Sequence, residues 1–173
     1  MDRPHPYLRF GAMIVTSMVV MFGVMYLNTF QASHVEFSET RFYMTLLMGA
    51  TMTVVMLAFM WSMYASRRVN VAILAAAAVV FGGGLWLVRS QVAVGDVAYM
   101  RGMIPHHSIA VLTSERADID DLRVRALADD IIAAQCREIA EMQWLIDDIR
   151  KHGKARDAAA AAERPVPEFD DEC

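Results

Sequence analysis

The sequence predicts an all-α membrane protein: three transmembrane helices followed by an extracytoplasmic helical hairpin. Three observations carry that expectation. Phe10 to Ser33, Phe42 to Ser66 and Val69 to Val88 each contain no Asp, Glu, Lys, Arg or His. Each run is long enough to cross a hydrocarbon core about 30 Å thick at about 1.5 Å per residue. After residue 89 the pattern changes to amphipathic helical periodicity, and no strand pattern appears anywhere in the chain.

The chain of 173 residues is 56% hydrophobic with a mean hydropathy of +0.32, above the roughly 45–50% of a soluble domain. A wholly soluble globule and a disordered chain are thereby excluded. With two cysteines only, Cys136 and Cys173, a framework of several disulfides is not available. Residues 89–173 carry 11 of the basic and 17 of the acidic residues, a net charge of −6. That balance argues against nucleic acid as a partner and against adhesion to anionic lipid headgroups.

The spans are expected at about 10–29, 42–64 and 69–88, making 1–89 a membrane domain. The first apolar run exceeds the 7–15 residues usual in a cleaved signal peptide, and no clear A-x-A site follows, so it reads as a retained helix. Arg67, Arg68 and Asn70 suggest a very short turn between antiparallel second and third spans. With the N-terminus inside, the inner set is Arg3, Arg9, Arg67 and Arg68 and the outer set Arg41 and Arg89. This bias predicts an N-terminus in the cytoplasm and a C-terminal domain in the periplasm or outside the cell, where cysteines can be oxidised. Ten of the 14 methionines lie in the first two spans. Met44, Met48, Met52, Met56 and Met60 drift about 40° per step at 3.6 residues per turn and smear over half the helix. They read first as flexible apolar filler and second as a thioether path for a soft metal. Gly82, Gly83 and Gly84 beside Ala75–Ala78 suit close helix packing. No charged residue sits mid-span, which argues against a proton relay or ion pump.

The hairpin is expected over 94–152. Asp96 is the expected N-cap of its first helix, which keeps a rough helical period to Arg116. Pro105 either kinks this helix or begins a second segment. Ala117–Asp120 form the turn. Asp120 or Asp121 caps a second helix to about His152, with Leu127, Ile131, Ile132, Ile139, Met142, Leu145 and Ile149 on its apolar face and Gly153 as its stop. Residues 153–173, rich in Ala, Pro and acid, read as a disordered acidic tail. Two helices bury little, so the hairpin must pair with a second copy, making a homodimeric four-helix bundle, or dock on the membrane loops. In the second case His34, Glu36 and Glu39 are placed to cap the site.

The chemistry concentrates in Met100-Arg-Gly-Met103-Ile-Pro-His106-His107. Met100, Met103 and His107 stand at i, i+3 and i+7, with His106 about 100° away. On the second helix Gln135, Glu138 and Met142 repeat that spacing. Thioether with imidazole suits Cu(I) or Ag(I), and more nitrogen or oxygen suits Cu(II). The bland alternative is a histidine pair packed within a helical bundle.

Met103-Ile104-Pro105-His106-His107, then Ala110, Ala128, Ile132, Gln135, Glu138-Ile139, Met142 and Trp144-Leu145 resemble the family called domain of unknown function 305 (DUF305), over about residues 94–150. The resemblance implies a ferritin-like helical fold, an extracytoplasmic location and, for some members, copper or silver binding or tolerance. Carried over by position, it implies Met100, Met103, His106, His107 and Met142 as metal ligands, with Gln135 and Glu138 as ligands or their supports. Two positions depart from the family pattern. Ser108 stands where Gln often follows the histidine pair, and Thr113 stands where a Met often does.

The functional expectation is therefore a membrane-anchored copper- or silver-binding protein for sequestration or tolerance, with a copper ion as its cofactor. The alternative is a structural or interaction module of the membrane. No catalytic set is recognisable. Glu-x-x-His motifs of a di-iron site do not occur, and no enzyme is expected.

Overall fold

The computed structural model describes residues 6–173, and among them helices and turns account for all regular structure. Arg3, counted above on the inner side, lies outside the described residues. The chain forms two compact units. The first comprises residues up to Leu27 together with Glu39–Val94. The second comprises Asn28–Ser38 together with Gly95–Cys173.

The first unit holds α1 (Pro6–Val24), α2 (Glu39–Phe59) and α3 (Arg67–Ser90). All three are long and apolar enough to cross a membrane. α2 packs against both others and is the most buried of the three. Outward-facing Val15, Val19, Val54, Val55, Val79 and Phe81 are exposed, which suits lipid rather than water. The interior gathers Phe10, Ile14, Leu57 and Tyr64, with Met18, Met52, Met56 and Met60 packed against them. Met44, in contrast, is exposed. The four-residue methionine series thus turns from surface to core, as filler does. Gly49 admits Met18 from α1, whose Sδ would collide with any added Cβ. Of the three consecutive glycines only Gly84 touches a neighbour, with Leu47 Cγ 3.4 Å from an ideal Cβ; Gly82 and Gly83 face open space.

Two helix ends differ from expectation. α1 gives way to turns at Met25–Leu27, and α2 stops at Phe59 before a 3₁₀ turn, Trp61–Met63. Both stretches remain apolar, so hydropathy does not mark the point where the helical bonds end. The connection between α2 and α3 is also longer than expected. Arg67 and Arg68 already belong to α3, whose N-cap is Ser66, accepting from the Val69 N–H. Asn70 is buried in the first turn. It accepts from the Tyr7 hydroxyl at 2.9 Å and donates to the Tyr64 carbonyl at 3.3 Å, fastening α1, α3 and the intervening turn.

The second unit is built on α4 (Asp96–Arg116) and α5 (Leu122–His152). α4 is one helix running through Pro105, not two segments. Pro105 is buried, and its missing N–H leaves the Arg101 carbonyl without the usual helical donor. Gly95, not Asp96, is the N-cap; Asp96 lies in the first turn and pairs with Lys154. Asp121 caps α5 through Oδ1, which accepts from the Arg123 N–H at 2.9 Å. Its carboxyl is pushed down to about 2 by the hydrogen bonds from the Arg123 side chain and backbone. Gly153 ends α5 with φ 79°, and its N–H returns to the Ile149 carbonyl. The seam between α4 and α5 contains Met100, Ile104, Ile139, Met142 and Ile146. Leu127, expected on the apolar face, is 59% exposed, because the seam at that level runs through Ala128 instead.

Residues 153–173 are not the disordered tail expected from composition. They contain a short α6 (Ala158–Glu163) capped by Asp157, and they return to α5. Arg164 donates to Asp148 Oδ2 at 2.6 Å, and Arg137 to Asp171 Oδ1 at 2.6 Å. Cys173 forms a disulfide with Cys136.

Ile104 is fully buried. Ile104→Ala should destabilise the α4–α5 pair by about 2–5 kcal/mol. Amide hydrogen exchange across α4 and α5 in detergent would report it, with α1–α3 unchanged.

Candidate functional site

His107 lies on the side of α4 that faces α5, three positions beyond the seam residue Ile104. Its side chain is 12% exposed. Both ring nitrogens are held. Nδ1 lies 2.9 Å from the Met103 carbonyl, one turn back, and Nε2 lies 2.7 Å from Glu138 Oε2 on α5. A carbonyl only accepts, so Nδ1 carries the proton. Nε2 then has two roles open to it. It donates to Glu138 when the ring is an imidazolium, or it offers its lone pair to a cation shared with that carboxylate. Gln135 Nε2 lies 3.5 Å from the same Glu138 oxygen. His106 is exposed beside them, its ring centroid 6.2 Å from that of His107.

The other expected ligands take different places. Met100 and Met142 are buried in the seam, surrounded by Ile104, Ile139 and Ile146, and Met103 packs at its edge. The reason is geometric. The i, i+3, i+7 spacing that relates Met100 and Met103 to His107 is also the spacing of the stripe facing α5. Of the seven residues, His107, Glu138 and Gln135 converge, His106 stands alongside, and the thioethers fill the core. No group of three or more His, Cys, Asp or Glu able to hold a metal occurs among the described residues. The residues thus fit a borderline ion taking imidazole and carboxylate better than a thioether-bound one.

A second polar cluster borders the site. Ser108 follows His107 and is fully buried. Its Oγ accepts from the Phe30 N–H at 2.7 Å and lies 3.0 Å from His34 Nδ1. Ser108 has one proton to give, so the simplest arrangement has it donating to a neutral His34. Further along, Arg101 Nε lies 3.5 Å from Glu36 Oε2. Ser38 Oγ would lie 3.2 Å from a Cβ added at Gly102. Residues 28–38 therefore lie along α4, with His34 and Glu36 at Ser108 and Arg101; Glu39 instead opens α2. The sequence suggests this loop as a cap for the metal and does not mark its anchor on Ser108. The available signal was Ser108 itself, a small hydroxyl where the family often carries Gln.

The DUF305 family profile matches residues 96–169. A relative described as uncharacterized protein L153 of Acanthamoeba polyphaga mimivirus is 30% identical over 151 residues, covering 83% of this chain and 97% of its own length. The chain belongs to the DUF305 family. The share of this DUF305 protein aligned with that relative is too large for α4 and α5 alone and takes in apolar helices as well. No solved structure matches it.

Burial lowers His34 below the ordinary imidazole value of 6.5. Protonation is then favoured in the released loop, so docking is complete above about pH 6.5 and weakens as pH falls below it. The protection of amides 28–38, taken relative to the intrinsic exchange rate at each pH, should fall between pH 7 and pH 5.5. His34→Gln should flatten that dependence, and Ser108→Ala should raise exchange at every pH, since the Phe30 N–H loses its acceptor.

Proposed function

We propose that this chain is a membrane-anchored metal-binding protein. Its extracytoplasmic α4–α5 hairpin takes up a copper ion at His107 and Glu138, for sequestration or tolerance. The observation that carries the reading is the posture of His107. Its Nδ1–H is fixed on the Met103 carbonyl, and its Nε2 is aimed at a carboxylate with a second imidazole and an amide beside it. An imidazole fixed at Nδ1 by a backbone carbonyl is the usual arrangement of a metal-ligating histidine; its Nε2, 2.7 Å from Glu138 Oε2, would exchange that contact for the ion. A bound ion would be held by His107 and Glu138, with His106 and Gln135 in reach by side-chain rotation and Met103 at the margin. The ion would supply Lewis acidity or, for copper, a redox couple; the chain's part is to bind it and exclude bulk water. The N-terminus lies in the cytoplasm, an orientation supported by the arginine bias and by the disulfide, a bond of oxidising compartments. A second copy pairing through α5, where Leu122, Val124 and Leu127 are exposed, would make the four-helix bundle and bring further donors to a site of few ligands.

The second reading is structural: His107 and Glu138 latch α4 to α5, which the 2.7 Å contact itself favours.

Copper titration of the full chain in detergent separates the two. Under the metal reading His107→Ala abolishes binding and Glu138→Gln, which replaces a charged ligand by a neutral one, weakens it by at least the roughly 10–100-fold that loss of a merely supporting group costs. His106→Ala weakens binding without disturbing the fold. Under the latch reading copper affinity is negligible from the start, and His107→Ala only accelerates amide exchange in α4 and α5.

A fusion reporter after Cys173 tests the orientation. It should be active outside the cytoplasm, and cytoplasmic activity alone would overturn that assignment.

A further inference from the structure

Residues 153–173 are held to the rest of their unit by one covalent bond and a few polar ones. The covalent bond joins Cys136, 3% exposed on α5, to Cys173, 37 positions later. The polar ties are Lys154 with Asp96, Arg164 with Asp148, Arg137 with Asp171, and Gln31 Nε2 donating to the Cys173 carbonyl at 2.5 Å. Lys154 with Asp96 and Arg137 with Asp171 are about half exposed and contribute little each; Arg164 with Asp148 is the more covered pair. α6 has six residues, too few to persist as a helix alone. The disulfide is therefore what keeps the segment in place.

The placed segment covers something. On α5, Trp144, Leu145 and Ile149 form one wall of a half-open cavity of about 370 Å³; Ala161, Arg164 and Val166 from the returning segment form the other. Asp96 and Lys154 close its rim. Without residues 153–173 that apolar stretch of α5 faces water.

We propose that the Cys136–Cys173 disulfide is a redox latch: its reduction releases residues 153–173 from α5 and uncovers Trp144, Leu145 and Ile149. The reductant is a dithiol. Cys173 is the exposed partner, so a thiolate attacks its sulfur, forming a mixed disulfide and expelling the Cys136 thiolate, which takes up a proton. The second thiol of the reductant then displaces the Cys173 thiolate, which is protonated in turn. The dithiol leaves as a disulfide, having given two electrons and two protons. The latch opens a wall without touching His107 or Glu138, so it stands apart from the metal reading.

The full chain in detergent tests this by limited trypsin digestion. Cleavage after Lys154 and Arg156 is compared in the oxidised protein and in protein reduced with dithiothreitol and capped with iodoacetamide. Cleavage of an opened segment tracks the population released, and reduction should raise it about tenfold or more. In protein with Trp61→Phe and Trp86→Phe, Trp144 is the remaining fluorophore, and reduction should increase its quenching by acrylamide. Cys173→Ser should show both effects without reductant. Equal cleavage rates in the two states would overturn the latch. So would unchanged Trp144 quenching, or two free thiols in protein isolated without reductant.

Discussion

Two helices packed against each other in water close one seam and leave their outer faces open. The rest of the second unit answers that constraint. α4 and α5 join through five buried side chains, Met100, Ile104, Ile139, Met142 and Ile146, with Val97, Met103, Leu145 and Ile149 packed against them, too small a core to stand without help. The help comes from both sides. Residues 28–38 lie on α4, anchored at the buried Ser108. Residues 153–173 lie on α5, anchored at the buried Cys136. Each covering segment is nearly structureless, and each is fixed by a specific bond rather than by apolar area.

The seam also decides what chemistry is on offer. A thioether is a soft ligand where it meets an ion and an adaptable hydrocarbon where it meets isoleucine. Met100 and Met142 meet isoleucine. Three positions beyond the seam residue Ile104, His107 keeps 12% exposure, buried enough to be oriented and open enough to be reached. The polar pair thus occupies the rim of the apolar contact, where a charge keeps part of its hydration.

Much of the architecture is legible in the residue order. The limits of α4 and α5 follow from periodicity, from Asp121 as a cap and from Gly153 as a stop. The three apolar helices follow from the absence of charge. Their ends are less legible, because Trp61–Tyr64 stays apolar while the helical bonds change. At the site, His107 and Glu138 are readable as facing strips on two helices. The burial of the methionines is not, since one spacing serves both ligation and packing. Phe30 with Ser108, and Cys136 with Cys173, join positions far apart in the chain. Such pairs have no periodic signature, and an acid- and alanine-rich composition hides an anchored end.

Residues 28–38 and 95–173 share one unit, yet α2 and α3 are synthesised between them. The loop therefore leaves the ribosome before Ser108 exists to receive the Phe30 N–H. At about 5–20 residues per second the wait is on the order of several seconds. Under the membrane-anchored reading proposed above, α2 and α3 are both threaded during that wait, and an even number of crossings returns the chain to the face it left. A polypeptide that begins at Gly95, however well α4 and α5 pair, starts life without the segment that covers the outer face of α4.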